Sequence, residues 1–140
     1  MLKPMLPTLI FEAPTGENWV YEIKYDGFRA MLHWEKDRIQ LISRNGNLLN
    51  EQFPEIIKQC EDLLDEMIPY LPLILDGELC ILESPYKASF EKIQQRGRLR
   101  STDKIKQASA STPAHYLVLY SHIWVKIYIS DEESYKTLYL

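Results

Sequence analysis

One lysine, two arginines and several carboxylates stand at predicted strand ends and turns of this sequence, where a rigid sheet presents chemistry. In Glu22-Ile23-Lys24-Tyr25-Asp26-Gly27-Phe28-Arg29 an apolar strand ends on a lysine, Asp26-Gly27 reverses the chain, and an arginine stands two residues past the glycine. That arrangement suits an amine that must meet a phosphate. A lysine is a nucleophile only when deprotonated, and its unperturbed pKa is about 10.4. Burial and a nearby cation both favour the neutral form, and a tight strand–turn–strand is expected to supply both. Taken alone, the same string also describes an exposed lysine beside an ordinary Asp-Gly hairpin.

Strand side chains alternate faces, so Val20, Glu22 and Lys24 share one face, while Trp19, Tyr21 and Ile23 share the other and read as core. The returning strand runs from Phe28 to Trp34, with Phe28, Ala30, Leu32 and Trp34 alternating against Arg29, Met31 and His33. A second landmark, Ser43-Arg44-Asn45-Gly46, closes a short strand Ile39–Ile42. A third, Asp76-Gly77-Glu78, follows the apolar run Leu71–Leu75 and is expected to form a turn between strands Leu73–Leu75 and Glu78–Leu82. If that segment stays extended, both carboxylates project to one side.

These three strings, in this order and spacing, resemble the first three signatures of the covalent nucleotidyltransferases. That superfamily contains ATP-dependent DNA ligases, RNA ligases and mRNA capping enzymes. The fuller strings Tyr21–Arg29 and Leu73–Leu79 are most similar to bacterial ATP-dependent DNA ligases of the ligase D type, and Ser89–Arg96 resembles the segment that follows there. The resemblance covers about Lys3 to about Leu119. It implies that Lys24 attacks the α-phosphate of ATP to form a lysyl-AMP, which then passes to a 5′-phosphate at a DNA break. It implies further that Glu22 reads the adenine edge, that Ile23 adjoins the nucleotide, that Arg29 and Glu78 hold the ribose, that Arg44 contacts phosphate, and that Asp26 helps place Mg2+ or Mn2+. The implied fold is α+β, a partial ATP-grasp-like nucleotidyltransferase domain. Its implied partners are nicked or broken double-stranded DNA and other end-joining repair proteins. Two rivals stand beside this reading: a catalytically inactive remnant that binds nucleotide or DNA, and an RNA ligase or capping-type enzyme.

The sequence departs from the family after Val118. Ala114-His115-Tyr116-Leu117-Val118 resembles the lead-in to an adenine-stacking aromatic, but position 119 is leucine and position 120 tyrosine. The family's later acid and lysine pair are not found, nor is the OB-fold that follows them in the family. Five of the nine tyrosines fall within the last twenty-five residues. The chain therefore reads as residues 1–118 of an adenylation domain, in truncated form, followed by an atypical tail, 119–140, of frame-shifted or otherwise non-native origin.

With 140 residues and 46% hydrophobic content, the chain has the size and apolar share of one domain with its own core. No stretch is apolar enough to span a membrane and no signal peptide opens the chain, so a cytoplasmic setting is expected. Cys60 and Cys80 read as buried thiols in apolar periodic settings. His33, His115 and His122 lack ligand spacing. The net charge of −4 hides a basic stretch: Lys87 to Lys106 holds seven cations and two acids, hence +5, leaving −9 for the remainder. Its densest part, Arg96, Arg98 and Arg100, suits a DNA backbone, although charge runs are commonly solvated faces. Pro54 suits the first turn of a helix whose apolar positions, Ile56, Ile57, Cys60, Leu63, Leu64 and Met67, recur at helical spacing until Pro69. Helices from Ser89 to about Arg96, burying Phe90 and Ile93, and over Asp103–Ser109 should follow, then a strand Tyr116–Leu119. Hairpins with helices between them imply an α+β domain with a mostly antiparallel sheet.

Overall fold

Alternating apolar residues make the strands, and the strands pair antiparallel throughout. The computed structural model describes residues 11–18 and 23–120, the last two by backbone alone. Strand β1 (Phe28–Trp34) is flanked on both sides. On one side β2 (Ile39–Ser43) aligns Ser43 with Ala30 and Ile39 with Trp34. On the other, β3 (Leu73–Cys80) aligns Leu79 with Phe28 and Leu73 with Trp34. Strand β6 (His115–Tyr120) adds outside β3, giving the order β2-β1-β3-β6. A small separate hairpin consists of β4 (Leu82–Ser84) and β5 (Lys87–Ala88).

The even-numbered residues of β1 and the odd-numbered residues of β3 share one face with Leu41 and Tyr116. Against them pack Phe53, Ile56 and Cys60 at the start of and within α1 (Pro54–Asp62), and Ile93 of α3 (Phe90–Gly97). Trp34, Tyr116, Phe53, Leu32, Leu41 and Ile56 are fully buried there. Burial of each large apolar side chain contributes about 1.5–3 kcal/mol, so this face carries the fold. The opposite face carries Arg29, Met31 and His33 beside Asp76 and Glu78.

Four expectations need correction. The helix from Pro54 does not run unbroken to Pro69. It ends at Leu63 (φ −95, ψ 1), and α2 (Leu64–Met67) and a 3-10 turn (Ile68–Tyr70) continue the chain. The last turn of α1 is acidic with no cation in it, which opposes the helix dipole. Asp76-Gly77-Glu78 is not a turn but the middle of β3, paired on both edges. Gly77 is there for space: a Cβ would come within 2.6 Å of the Tyr116 ring and of the Leu117 carbonyl oxygen. Residues Ile23–Asp26 are irregular, so among the described residues no strand leads into the Asp26-Gly27 bend. Phe90 is half exposed at the rim, edge-on to Phe28 with ring centroids 6.1 Å apart. The strand expected over 19–22 and the tail beyond Tyr120 lie outside the described residues.

The buried thiols are as expected: apolar surroundings push Cys60 up to about 12 and Cys80 up to about 11. Ser89 caps α3, accepting from the Lys92 amide. Helix α4 (Thr102–Ser111) is longer than the sequence suggests.

The basic stretch requires a further correction. Arg96 does not face solvent: it is only 3% exposed. Its Nη2 donates to Glu55 Oε1 at 2.6 Å and to Ser109 Oγ at 2.9 Å, and its guanidinium sits 5.2 Å from the centre of the Phe53 ring. Glu55 in turn accepts from the Ser109 hydroxyl and the Ala114 amide. This one cation ties α1, α3, α4 and the entry to β6 together, and so it is withdrawn from any DNA surface. Removing one partner of a buried ion pair strands the other, at about 3–5 kcal/mol. Chemical denaturation of Arg96→Ala is therefore expected to show a loss of about that size, while the exposed Arg98→Ala stays within about 0.5 kcal/mol of wild type. Equal stability of the two variants would contradict this placement.

Candidate functional site

The polar face of the sheet gathers residues about fifty positions apart. Antiparallel pairing sets Arg29 opposite Glu78 and Met31 opposite Asp76, so both acids project beside the arginine. Arg29 Nε donates to Asp76 Oδ1 and Nη2 to Asp76 Oδ2, each at 2.6 Å, a two-pronged pair that fixes the guanidinium plane. Asp76 holds the arginine's pKa above its ordinary value. Glu78 accepts the Gly27 amide at 3.0 Å. Burial pushes the Glu78 carboxyl up, outweighing the opposing effects of the Gly27 amide, Arg29 and Lys24. Gly27 must be glycine here because a Cβ would strike the Leu79 carbonyl oxygen and lie 3.0 Å from Cys80 Cβ.

Lys24 stands apart in character. Its side chain is 84% exposed, and its Nζ lies 2.5 Å from Asp26 Oδ1. The expectation that the hairpin holds this amine neutral is corrected. Asp26, by hydrogen bond and by charge, raises its pKa above 10.5, with a smaller push from Glu78. Solvent rather than burial surrounds the amine, and the charges acting on it are carboxylates. In the free chain the amine is an ammonium.

Arg44 follows Ser43, whose partner is Ala30, so it leaves the sheet at the same end as Arg29 and Glu78. The Ser43–Asn47 turn that carries it is closed by Ser43 and Asn47 hydrogen bonds and uses a positive φ of 83° at Gly46. The Arg44 side chain is exposed. Ile23, read as core, is 46% exposed. Glu22 lies outside the described residues. Arg98 and Arg100 are exposed past the end of α3, where Arg100 Nη1 donates to the Gly97 and Leu99 carbonyls at 2.8 Å. Among the described residues no three potential metal ligands cluster. Sequence reasoning gave Asp76 no role. The signal was available: an acid two residues before Glu78 shares its face and lies diagonal to Arg29 once the strands pair.

Because Asp26 raises the amine's pKa, it lowers the neutral fraction at any pH below that pKa. Acetic anhydride labelling of Lys24 in the free chain, followed by peptide mass spectrometry across pH, should give a midpoint above 10.5 for wild type and a lower one for Asp26→Asn. An unchanged midpoint would contradict the pairing.

The family described as ATP dependent DNA ligase domain matches residues 4–128. The chain is 41% identical over 117 residues to the bifunctional non-homologous end joining protein LigD of Bacillus subtilis, covering 84% of this chain and 19% of that protein. It is 32% identical over 120 residues to DNA ligase C1 of Mycolicibacterium smegmatis, covering 83% of this chain and 33% of that protein. Among solved structures, a mycobacterial DNA ligase D complexed with ATP and MES is similar at 27% identity and a TM-score of 0.49, over 71% of this chain and 28% of that one. The chain thus spans about a fifth to a third of these two curated relatives. With the three strings meeting at one end of the sheet and the family matching most of its length, the chain belongs to the ATP-dependent DNA ligase domain family.

Proposed function

We propose that this chain supplies the nucleotide-binding and lysine-adenylating part of an ATP-dependent DNA ligase that seals breaks in double-stranded DNA. The observation carrying this reading is the convergence of the Lys24 loop, Arg29 and Glu78 at one end of the β1–β3 pair. Phosphoryl transfer asks little of a protein beyond positioning and charge neutralisation, and cations with hydrogen-bonding acids supply both. Glu22 reads the adenine edge and Ile23 adjoins it. Arg29, its plane fixed by Asp76, and Glu78 hold the ribose hydroxyls. Arg44 neutralises phosphate.

In the first step the neutral Lys24 amine attacks the α-phosphorus. An N–P bond forms, the P–O bond to the β-phosphate breaks, pyrophosphate leaves, and the amine proton passes to solvent. In the second, a DNA 5′-phosphate oxygen displaces the lysine and takes the AMP. In the third, a 3′-hydroxyl displaces AMP and closes the strand. Asp26 and the nucleotide phosphates are the residues and groups that fit a divalent cation, since Mg2+ characteristically uses one or two carboxylates together with substrate phosphates rather than a protein cage. Such an ion, Mg2+ or Mn2+, would neutralise charge on the polyphosphate. Engaging Asp26 elsewhere also removes the main cause that keeps Lys24 protonated.

The exposed Arg98 and Arg100 are proposed contacts to the DNA backbone. A repair setting with other end-joining proteins fits the name of the Bacillus subtilis relative. Among the described residues no helix is long and apolar enough to cross a membrane. A second reading, a remnant that binds nucleotide without bonding to it, is favoured by the protonated, exposed amine of the free chain.

Incubation with α-labelled ATP and Mg2+ or Mn2+, then a denaturing gel, separates the two. The ligase reading expects label on wild type and none on Lys24→Ala. Asp76→Asn should retain label but need about tenfold more ATP, because a loosened Arg29 forfeits roughly one charged hydrogen bond. No label with either metal supports the remnant. Nicked RNA and GTP offered alongside should not compete if the substrates are DNA and ATP.

A further inference from the structure

The loop that carries Lys24 is pinned at a second point that the roles above do not use. Ile23–Asp26 has no regular structure, so no ladder of backbone hydrogen bonds orders it. On its C-terminal side the Gly27 amide is fixed to Glu78. Immediately beside Lys24, the Tyr25 hydroxyl donates to the Pro85 carbonyl at 2.6 Å, across sixty residues of sequence. Pro85 stands in the turn of the β4–β5 hairpin, which is itself braced. Ser84 pairs with Lys87 and Leu82 with Ala88, and the Ser89 amide donates to the Ile81 carbonyl at 2.9 Å. Glu83 accepts Lys87 at 3.0 Å and Lys92 of α3 at 3.0 Å, which ties the hairpin to that helix.

We propose that Tyr25 is a positioning residue for the nucleophile: its bond to Pro85 clamps the Lys24 loop onto the β4–β5 hairpin and so fixes where the amine can point. Lys24 is long and exposed, and its amine pairs with its near neighbour Asp26, so its aim depends on the backbone beneath it. Attack on phosphorus demands alignment, and small displacements of a reacting group are costly in rate. The tether touches neither ATP nor DNA in the roles assigned above. Its loss should therefore slow the covalent step without weakening nucleotide binding. This inference rests on the proposed function for its kinetic consequence, but the tether itself does not.

Tyr25→Phe removes the hydroxyl and keeps the ring. Tyr86→Phe removes a hydroxyl from the same hairpin, on a side chain 75% exposed, and serves as the control. Two measurements are made on the full chain. Hydrogen–deuterium exchange of the segment 23–27 should be several-fold faster in Tyr25→Phe than in wild type or Tyr86→Phe. AMP–lysine formation at saturating ATP should be about tenfold slower in Tyr25→Phe, the energy of one ordinary hydrogen bond, with the half-saturating ATP concentration unchanged within about twofold. Unchanged exchange overturns the tether. A rate equal to wild type, or a loss recovered entirely by more ATP, overturns the positioning role. A wild-type chain that takes no label but shows the exchange difference upholds the tether and sinks the ligase reading instead.

Discussion

The pairing of β1 with β3 sets Arg29 opposite Glu78, and the chemistry assembled here is built on that register. A slip of one residue would turn Arg29 to the helix-covered face and bring Ala30 or Phe28 to the polar one, because side chains alternate with a period of two. Several devices prevent the slip. The Tyr116 hydroxyl reaches across the sheet to lie 2.9 Å from both the Ala30 and Leu75 carbonyls. Gly77 admits the Tyr116 ring where any side chain would expel it. The two-pronged Arg29–Asp76 pair links strands at one offset only. Burial holds Tyr116 protonated, as a hydroxyl able to donate, far above any working pH.

On this frame the site divides into a stiff part and a soft part. Arg29 and Asp76 are largely shielded, at 24% and 14% side-chain exposure, and their pair is screened little by salt. Lys24 and Asp26, at 84% and 60%, form a pair that salt and solvent weaken. Arg29 and Glu78 are thus held firmly by Asp76 and the Gly27 amide, while the Lys24 side chain is exposed on a backbone that the Tyr25 hydroxyl ties to Pro85. Beside Asp26 the amine is held as an ammonium, and drawing that carboxylate away would lower its pKa.

Much of this was legible in the residues. The alternation Phe28–Trp34 and the run before Asp76 gave both central strands, and the shared face of Asp76 and Glu78 held despite the wrong expectation of a turn between them. That error has a clear cause: Asp-Gly-Glu carries turn chemistry, and only the approach of Tyr116 from a strand forty residues later explains a glycine inside β3. Arg96 was misread for a similar reason. Charge density along the chain does not reveal that one of three adjacent arginines turns inward to meet Glu55 and Phe53. The protonation of Lys24 was misjudged because burial was inferred from a tight strand–turn–strand, whereas Ile23–Asp26 is irregular and the amine is exposed. Long-range packing, invisible in a local string, decided each case.

The central claim is that one register-held site directs AMP onto Lys24 and no other amine. Peptide mass spectrometry of the intact chain after incubation with ATP and Mn2+ tests it most directly. The account predicts a single phosphoramidate-linked AMP on the peptide containing Lys24. AMP distributed over other lysines, or carried by none, would contradict it.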